Sequence, residues 1–370
     1  MNNRLQYLDS TRGVAAFTVL LSHFFGAFVY EGDMAKWNHS ILHSLWHGKG
    51  AVSYFFVLSG LVLSYTYFQN EEKLKHFNYL DFIIKRVLRI YPVFLAVILL
   101  SFIAINFFFN PDSIKSLAPA TDWIKMFWLN KTSFISMFKE SLLIVRIPQE
   151  PELRLINQDW TLTIELIVSV LVPPLIVITK RSSWMLVIVV LVLLRMHTLH
   201  WIVEFAAGVW ISANLHQIRN FFGRINFITK FLLLTIALIL YTLEFMIDMP
   251  EIFSIFLTKL SVVLILILVL CLKRLQNILS IPVLVFLGEI SYCLYLCHFI
   301  VILVVAPEIF NWLKYNQLTD NFMVTTIVLM VTILCSLLLA YLLSIIIERP
   351  FVSLSRKLSK MIRKNRESII

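Results

Sequence analysis

The feature that most constrains this chain is its series of long apolar runs, each separated from the next by charged or turn-forming residues. Ten runs fall near 11–30, 50–68, 90–109, 162–179, 184–196, 199–214, 228–247, 254–272, 281–305 and 322–347. About 20 apolar residues rising 1.5 Å each are enough to cross the roughly 30 Å hydrocarbon core of a bilayer. Inside hydrocarbon a helix satisfies its backbone N–H and C=O groups without water, which an open strand or loop does not. The expected fold is therefore all-α, a polytopic transmembrane helical bundle of about ten spans. The fifth and sixth runs are short and flanked by Arg195, His197 and His200. They read as two short spans or as one broken hairpin, and either choice keeps the count even.

Composition agrees with this reading. Hydrophobic residues make up 59% of the 370 and charged residues 15%, with a mean hydropathy of +0.83. Soluble domains are about 45–50% apolar, so a water-soluble chain of this make-up would lack the polar groups to cover its surface. The net charge of +10 does not point to nucleic acid, because the basic residues lie between apolar runs and in a terminal cluster. Cys271, Cys293, Cys297 and Cys335 all sit inside apolar runs, without CxxC spacing. Neither a disulfide framework nor a metal is expected from them. The first run has no small-residue cleavage site after it, so it reads as a retained span and not as a signal peptide.

Lysine and arginine counting gives the orientation. With the N-terminus inside, the inner segments hold 21 Lys and Arg and the outer segments 10, six of them in the long 110–160 loop. Inner loops are enriched in these residues, so both termini are expected in the cytosol. The organisation expected is a transmembrane domain over 1–350 and a basic tail over 351–370. Arg356, Lys357, Lys360, Arg363, Lys364 and Arg366 in that tail suit anionic inner-leaflet lipid. Pro350 is expected to end the last helix.

Ionisable groups inside spans cost roughly 2.5–3.5 kcal/mol each, so each one needs a reason. Arg12 and His23 are eleven residues apart, close to three helical turns, and share a stripe about 16 Å long. His23, past mid-membrane, is either a hydrogen-bonded structural residue or a general base. Arg86 and Arg89 share a helix face at the cytosolic interface, as positive-inside flanks or as a clamp for phosphates. Glu165 is expected about one turn in from the outer surface, within reach of Thr161. It would orient a catalytic imidazole or pair with Lys259 or another span. Ser291, Tyr295 and His298 form an i, i+4, i+7 polar stripe that must face a cavity or another helix. Glu348 and Arg349 read as a local anchor or an inter-helix pair.

In order along the chain stand Leu8-Asp9-Ser10-Thr11-Arg12-Gly13, the Arg12/His23 spacing, Phe55-Phe56-Val57-Leu58-Ser59-Gly60, and Arg86/Arg89 with Tyr91-Pro92. Trp160-Thr161-Leu162-Thr163-Ile164-Glu165, Ser291 to His298, and Glu348-Arg349-Pro350 follow. With these motifs over nearly its whole length, the chain resembles the acyltransferase-3 family of integral membrane O-acyltransferases. It departs from the family at Leu166-Ile167-Val168, which stand where a second acidic residue is common and leave Glu165 as the acid there. Without the SGNH-type domain that some members append, it is expected to act alone or with a separate partner.

The resemblance implies transfer of an acyl group, usually acetyl, from cytosolic acetyl-CoA to a hydroxyl outside. The acceptor it implies is a carbohydrate or lipid-linked glycan such as O-antigen, capsule or exopolysaccharide. The setting implied is the bacterial inner membrane, with membrane lipid as the surroundings. Its implied catalytic residues are His23, Glu165 and His298; Arg12, Arg86 and Arg89 would bind the CoA donor, and Tyr295 and Ser291 the acceptor. His23 would be the general base or a transient acyl carrier. Acceptor selection would fall to the outer loop, with Trp123, Trp128, Asp122, Glu150 and Glu152. The alternative is a transporter or flippase of an envelope precursor that uses the same polar groups as a pathway. A third reading is a non-catalytic assembly partner.

Overall fold

The computed structural model describes residues 6–28, 38–70, 77–143, 154–182, 185–186, 188, 201–318 and 320–367. They are mostly helical, and the described residues contain no strand beyond an isolated bridge between Phe28 and Ala120. The long helices are α1 (Gln6–Ala27), α2 (Gly48–Gln69), α3 (Tyr79–Ile103, continued by a π turn Ala104–Phe108) and, after three short helices, α7 (Asp159–Arg181). The short ones are α4 (Pro111–Lys115), α5 (Asp122–Lys125) and α6 (Phe134–Ser141). Then come α8 (Ile202–Ala213), α9 (Leu215–Arg224), α10 (Phe227–Met246), α11 (Glu251–Cys271), α12 (Lys273–Leu279) and α13 (Pro282–Tyr315). The series ends with α14 (Asn321–Leu343), a π turn (Ser344–Glu348) and α15 (Arg349–Glu367).

Among the described residues, seven helices are long and apolar enough to cross a bilayer: α2, α3 with its π turn, α7, α10, α11, α13, and α14 with its continuation. They match seven of the expected runs, and α1 is a 22-residue helix over the first. The expected fifth span, 184–196, falls almost wholly outside the described residues. The sixth is the 12-residue α8, about 18 Å long, which is short for a full crossing. The chain is a polytopic membrane protein.

Two interleaved compact units divide the chain. The first comprises Met1–Ala15, Lys36–Tyr79 and Ile167–Gly288. Its helices meet where glycine removes the side chain. A Cβ on Gly60 would run into the Phe205 carbonyl, and one on Gly208 into the Val57 carbonyl. Lipid tails are as apolar as leucine, so helices associate through such close backbone approach. Gly13 and Gly288 repeat the device where α1 meets α13, a Cβ on either meeting the other helix's backbone at 2.5 Å. Two of the sequence motifs thus end in packing glycines. The unit also holds an intramembrane ion pair, Lys259 Nζ to Glu204 Oε1 at 3.0 Å, with Ser53 donating to the same carboxylate oxygen at 3.3 Å. Lys259, expected as one alternative partner of Glu165, meets Glu204.

The second unit comprises Ala16–Ala35, Leu80–Leu166 and Glu289–Ile370. Pro350 does not end the last helix as expected. It lies in the first turn of α15, directly after the π turn, where the Arg349 N–H reaches back five residues to the Ser344 carbonyl. The widened turn admits the ring that an α-helical turn would reject. Arg349 donates to Glu289 at 3.0 Å and Cys293 Sγ to Glu348 at 3.2 Å, so both residues of the motif tie this helix to α13.

Candidate active site

The second unit gathers polar side chains around one imidazole. The segment leading into α5 is docked on the end of α1: Thr121 donates through its hydroxyl to Gly26 O at 2.7 Å and through its N–H to Ala27 O at 2.9 Å. Thr121 also caps α5, its Oγ1 accepting from Ile124 N. This sets the Trp123 indole 5.7 Å from the His23 ring, with Phe299 edge-on at 5.4 Å. The ring of His298 stacks on His23 at 5.0 Å.

His23 Nδ1 lies 2.8 Å from His298 Nε2, and His298 Nδ1 lies 2.9 Å from the Leu294 carbonyl of its own helix. The direction of this chain follows from chemistry. A carbonyl only accepts, so His298 Nδ1 carries the hydrogen. In a neutral imidazole the other nitrogen then accepts, so His298 Nε2 receives the hydrogen from His23 Nδ1. That leaves the lone pair of His23 on Nε2. Two histidines 275 residues apart in the chain thus fix each other's tautomer, and His23 ends as a base.

The α13 stretch that carries His298 is itself clamped. The Gln158 side-chain amide donates to Tyr295 O at 2.8 Å and Leu296 O at 2.9 Å. Thr161 donates to Gln158 O at 2.9 Å and, with its hydrogen so committed, accepts from the Tyr295 hydroxyl at 2.9 Å. Thr161 was expected beside Glu165; its partners are Gln158 and Tyr295. Ser291 is buried one turn before Tyr295. Gln158 escaped sequence reasoning because it precedes the apolar run, where a polar residue passes as loop.

Glu165 meets Arg86, Oε1 to Nη1 at 3.6 Å. This corrects the expected depths, which placed Glu165 near the outer surface and Arg86 at the inner one. The reason is Gln158, which fixes the start of α7 thirteen residues, about 20 Å, along α13. So α7 begins partway along its neighbours, and Glu165 lies deeper than an outer-surface start implies. Arg86 and Arg89 also part company: Arg86 is buried and Arg89 exposed. Arg12 belongs to the first unit, where its guanidinium meets Asp9 at 3.1 Å. Of the loop residues expected to select an acceptor, Trp128 is buried with its indole N–H on Arg154 O, and Asp122 is exposed. Glu150 and Glu152 lie outside the described residues.

A family model described as an acyltransferase domain, of the acyltransferase-3 type, matches residues 5–341. The chain belongs to the acyltransferase-3 family. Comparisons with curated proteins and with solved structures return no match. Family membership makes this a membrane acyltransferase, with an acyl donor and an acceptor as substrates. The matched stretch contains both imidazoles, Gln158 and the Arg86–Glu165 pair.

Proposed function

We propose that this acyltransferase moves acetyl from cytosolic acetyl-CoA to a hydroxyl of an envelope polysaccharide or lipid-linked glycan, in a bacterial inner membrane with both chain termini in the cytosol. The observation that supports the chemistry is the one-way hydrogen-bond chain from His23 through His298 to the Leu294 carbonyl. His23 Nε2 takes the proton of the acceptor hydroxyl as the oxygen attacks the thioester carbonyl carbon. The C–S bond breaks, and the departing CoA sulfur takes the proton back from His23, leaving ester and free thiol. His298 holds the tautomer and shares the charge that develops on His23 in between.

Donor binding falls in this reading to Arg89, exposed on α3, and to Arg86, which also meets Glu165. Guanidinium forks suit phosphate oxygens, as the CoA nucleotide requires. Glu165 orients Arg86, while Tyr295 and Ser291 shape the wall beside His298. The basic 351–370 segment anchors against anionic lipid.

The test uses purified protein in vesicles with labelled acetyl-CoA and a membrane glycan fraction. Wild type transfers label to glycan, and His23→Ala does not while keeping its thermal unfolding midpoint. Failure of wild type to transfer label to glycan, or an unimpaired His23→Ala, contradicts the reading. Loss of CoA protection against unfolding in Arg86→Ala/Arg89→Ala is the matching result for the donor site.

A further inference from the structure

The 110–160 stretch reads from sequence as an outer loop, yet its contacts run far down the side of a membrane helix. Near the upper end of α3, Asn106 Nδ2 donates to Thr132 O at 3.1 Å. One turn lower, the Phe102 ring meets Phe134 at 5.8 Å. Eleven residues lower again, the Tyr91 hydroxyl meets the backbone of Leu143. From Asn106 to Tyr91 is fifteen residues, about 22 Å along the helix axis. A surface loop would touch α3 at one level; this one touches it at three. The lowest point is fixed a second time, Thr163 of α7 donating to Leu143 O at 3.0 Å.

Between those rungs lies α6, capped by Ser133, whose Oγ accepts from Ser136 N at 3.1 Å. Phe134, Ile135, Phe138 and Leu142 stand on one face of it, between 46% and 68% exposed. The return limb is tied to it: the Glu140 carboxylate accepts from Leu155 N and Ile156 N at 2.9–3.1 Å. Backbone groups in a bilayer must be satisfied by protein, and a capped helix pinned to its returning strand of chain meets that demand. Lys139 is the one cation on α6 and is exposed; its four-carbon stem lets the ammonium reach a polar level.

We propose that residues 132–143 enter the bilayer as a re-entrant limb lying along α3, with the Phe134/Ile135/Phe138/Leu142 face against lipid hydrocarbon. The partner of this face is the acyl-chain region of the membrane. About 22 Å of descent is most of the roughly 30 Å hydrocarbon thickness.

The experiment places an environment-sensitive fluorophore on single cysteines, Phe134→Cys, Phe138→Cys and Leu142→Cys, in a chain whose four native cysteines are replaced. Controls are Leu99→Cys on the exposed face of α3 and Lys115→Cys in α4. In phosphatidylcholine vesicles brominated at defined acyl-chain depths, Phe138 and Leu142 labels lose emission as the Leu99 label does. The depth of strongest loss moves inward from Phe134 to Leu142. Equal shallow quenching at all three positions overturns the proposal in favour of a surface helix. Labels that are shielded from water and not quenched by bromolipid overturn it in favour of a second protein chain. Should the cysteine-free chain fail to fold, wild type in lipid nanodiscs is exposed to a lipid-soluble diazirine. Label in the 132–143 peptide sustains the proposal, and label absent there while present in α3 overturns it.

Discussion

Each of the two units buries ionisable side chains among apolar helices, and they do so in opposite ways. In the first, Glu204 and Lys259 answer each other's charge at 3.0 Å, with Ser53 on the same carboxylate and the Trp201 ring 5.3 Å from the ammonium. The arrangement is closed, an acid and a base cancelling within packing distance. In the second, two imidazoles share one hydrogen bond, and as neutral rings their chain points one way and ends on the His23 Nε2 lone pair. A closed pair supplies structure, whereas an open-ended chain supplies a proton acceptor. The difference teaches that an intramembrane ionisable group is informative through the direction of its hydrogen bonds as much as through its depth.

That contrast can be broken experimentally. The largest expected effect is His23→Ala, which should lower acyl transfer by on the order of 10²–10⁴-fold, the usual contribution of a general base, and leave the unfolding midpoint in place. Lys259→Met should do the reverse. Leaving Glu204 without that partner should cost about 3–5 kcal/mol of stability, seen as early thermal unfolding, with transfer per folded molecule retained. Adding Glu204→Gln to Lys259→Met should recover much of that loss. His298→Gln should lower transfer by less than His23→Ala and shift the pH–rate profile, since a non-titrating amide replaces the imidazole that fixes the tautomer and shares the charge. The smallest effect lies outside the spans. Burial, with His47 beside it, lowers the His43 imidazole to about 4, its ring stacked on Phe245 at 3.5 Å. A folded value below the usual 6.5 means stability complete above that pH and lost as pH falls towards 4. His43→Phe should flatten that slope in a pH series of unfolding midpoints.

Much of this was legible in the residues. Apolar runs gave the long helices because hydrocarbon leaves a chain little other choice, and the polar stripe on α13 announced a partner that turned out to be His23. What escaped depends on three-dimensional reach. Glu204 sits in an apolar run as plain as its neighbours', but its meaning came only with Lys259 opposite. Glu165 was read from its distance to the start of a span, which assumes that spans start at the surface; Gln158 makes α7 start elsewhere. Pro350 was read as a stop because local sequence does not reveal that a π turn will make room. The Gly60 and Gly208 contacts were hidden for the same reason, since absent side chains matter only where another backbone arrives.

The central claim is that the two imidazoles act as one chain, and a double-mutant comparison of labelled acetyl transfer tests it most directly. Residues acting as a unit lose their effects non-additively. His23→Ala/His298→Gln should therefore transfer at the residual rate of His23→Ala alone. If the two losses multiply, or if His23→Ala keeps the wild-type rate, the relay is wrong.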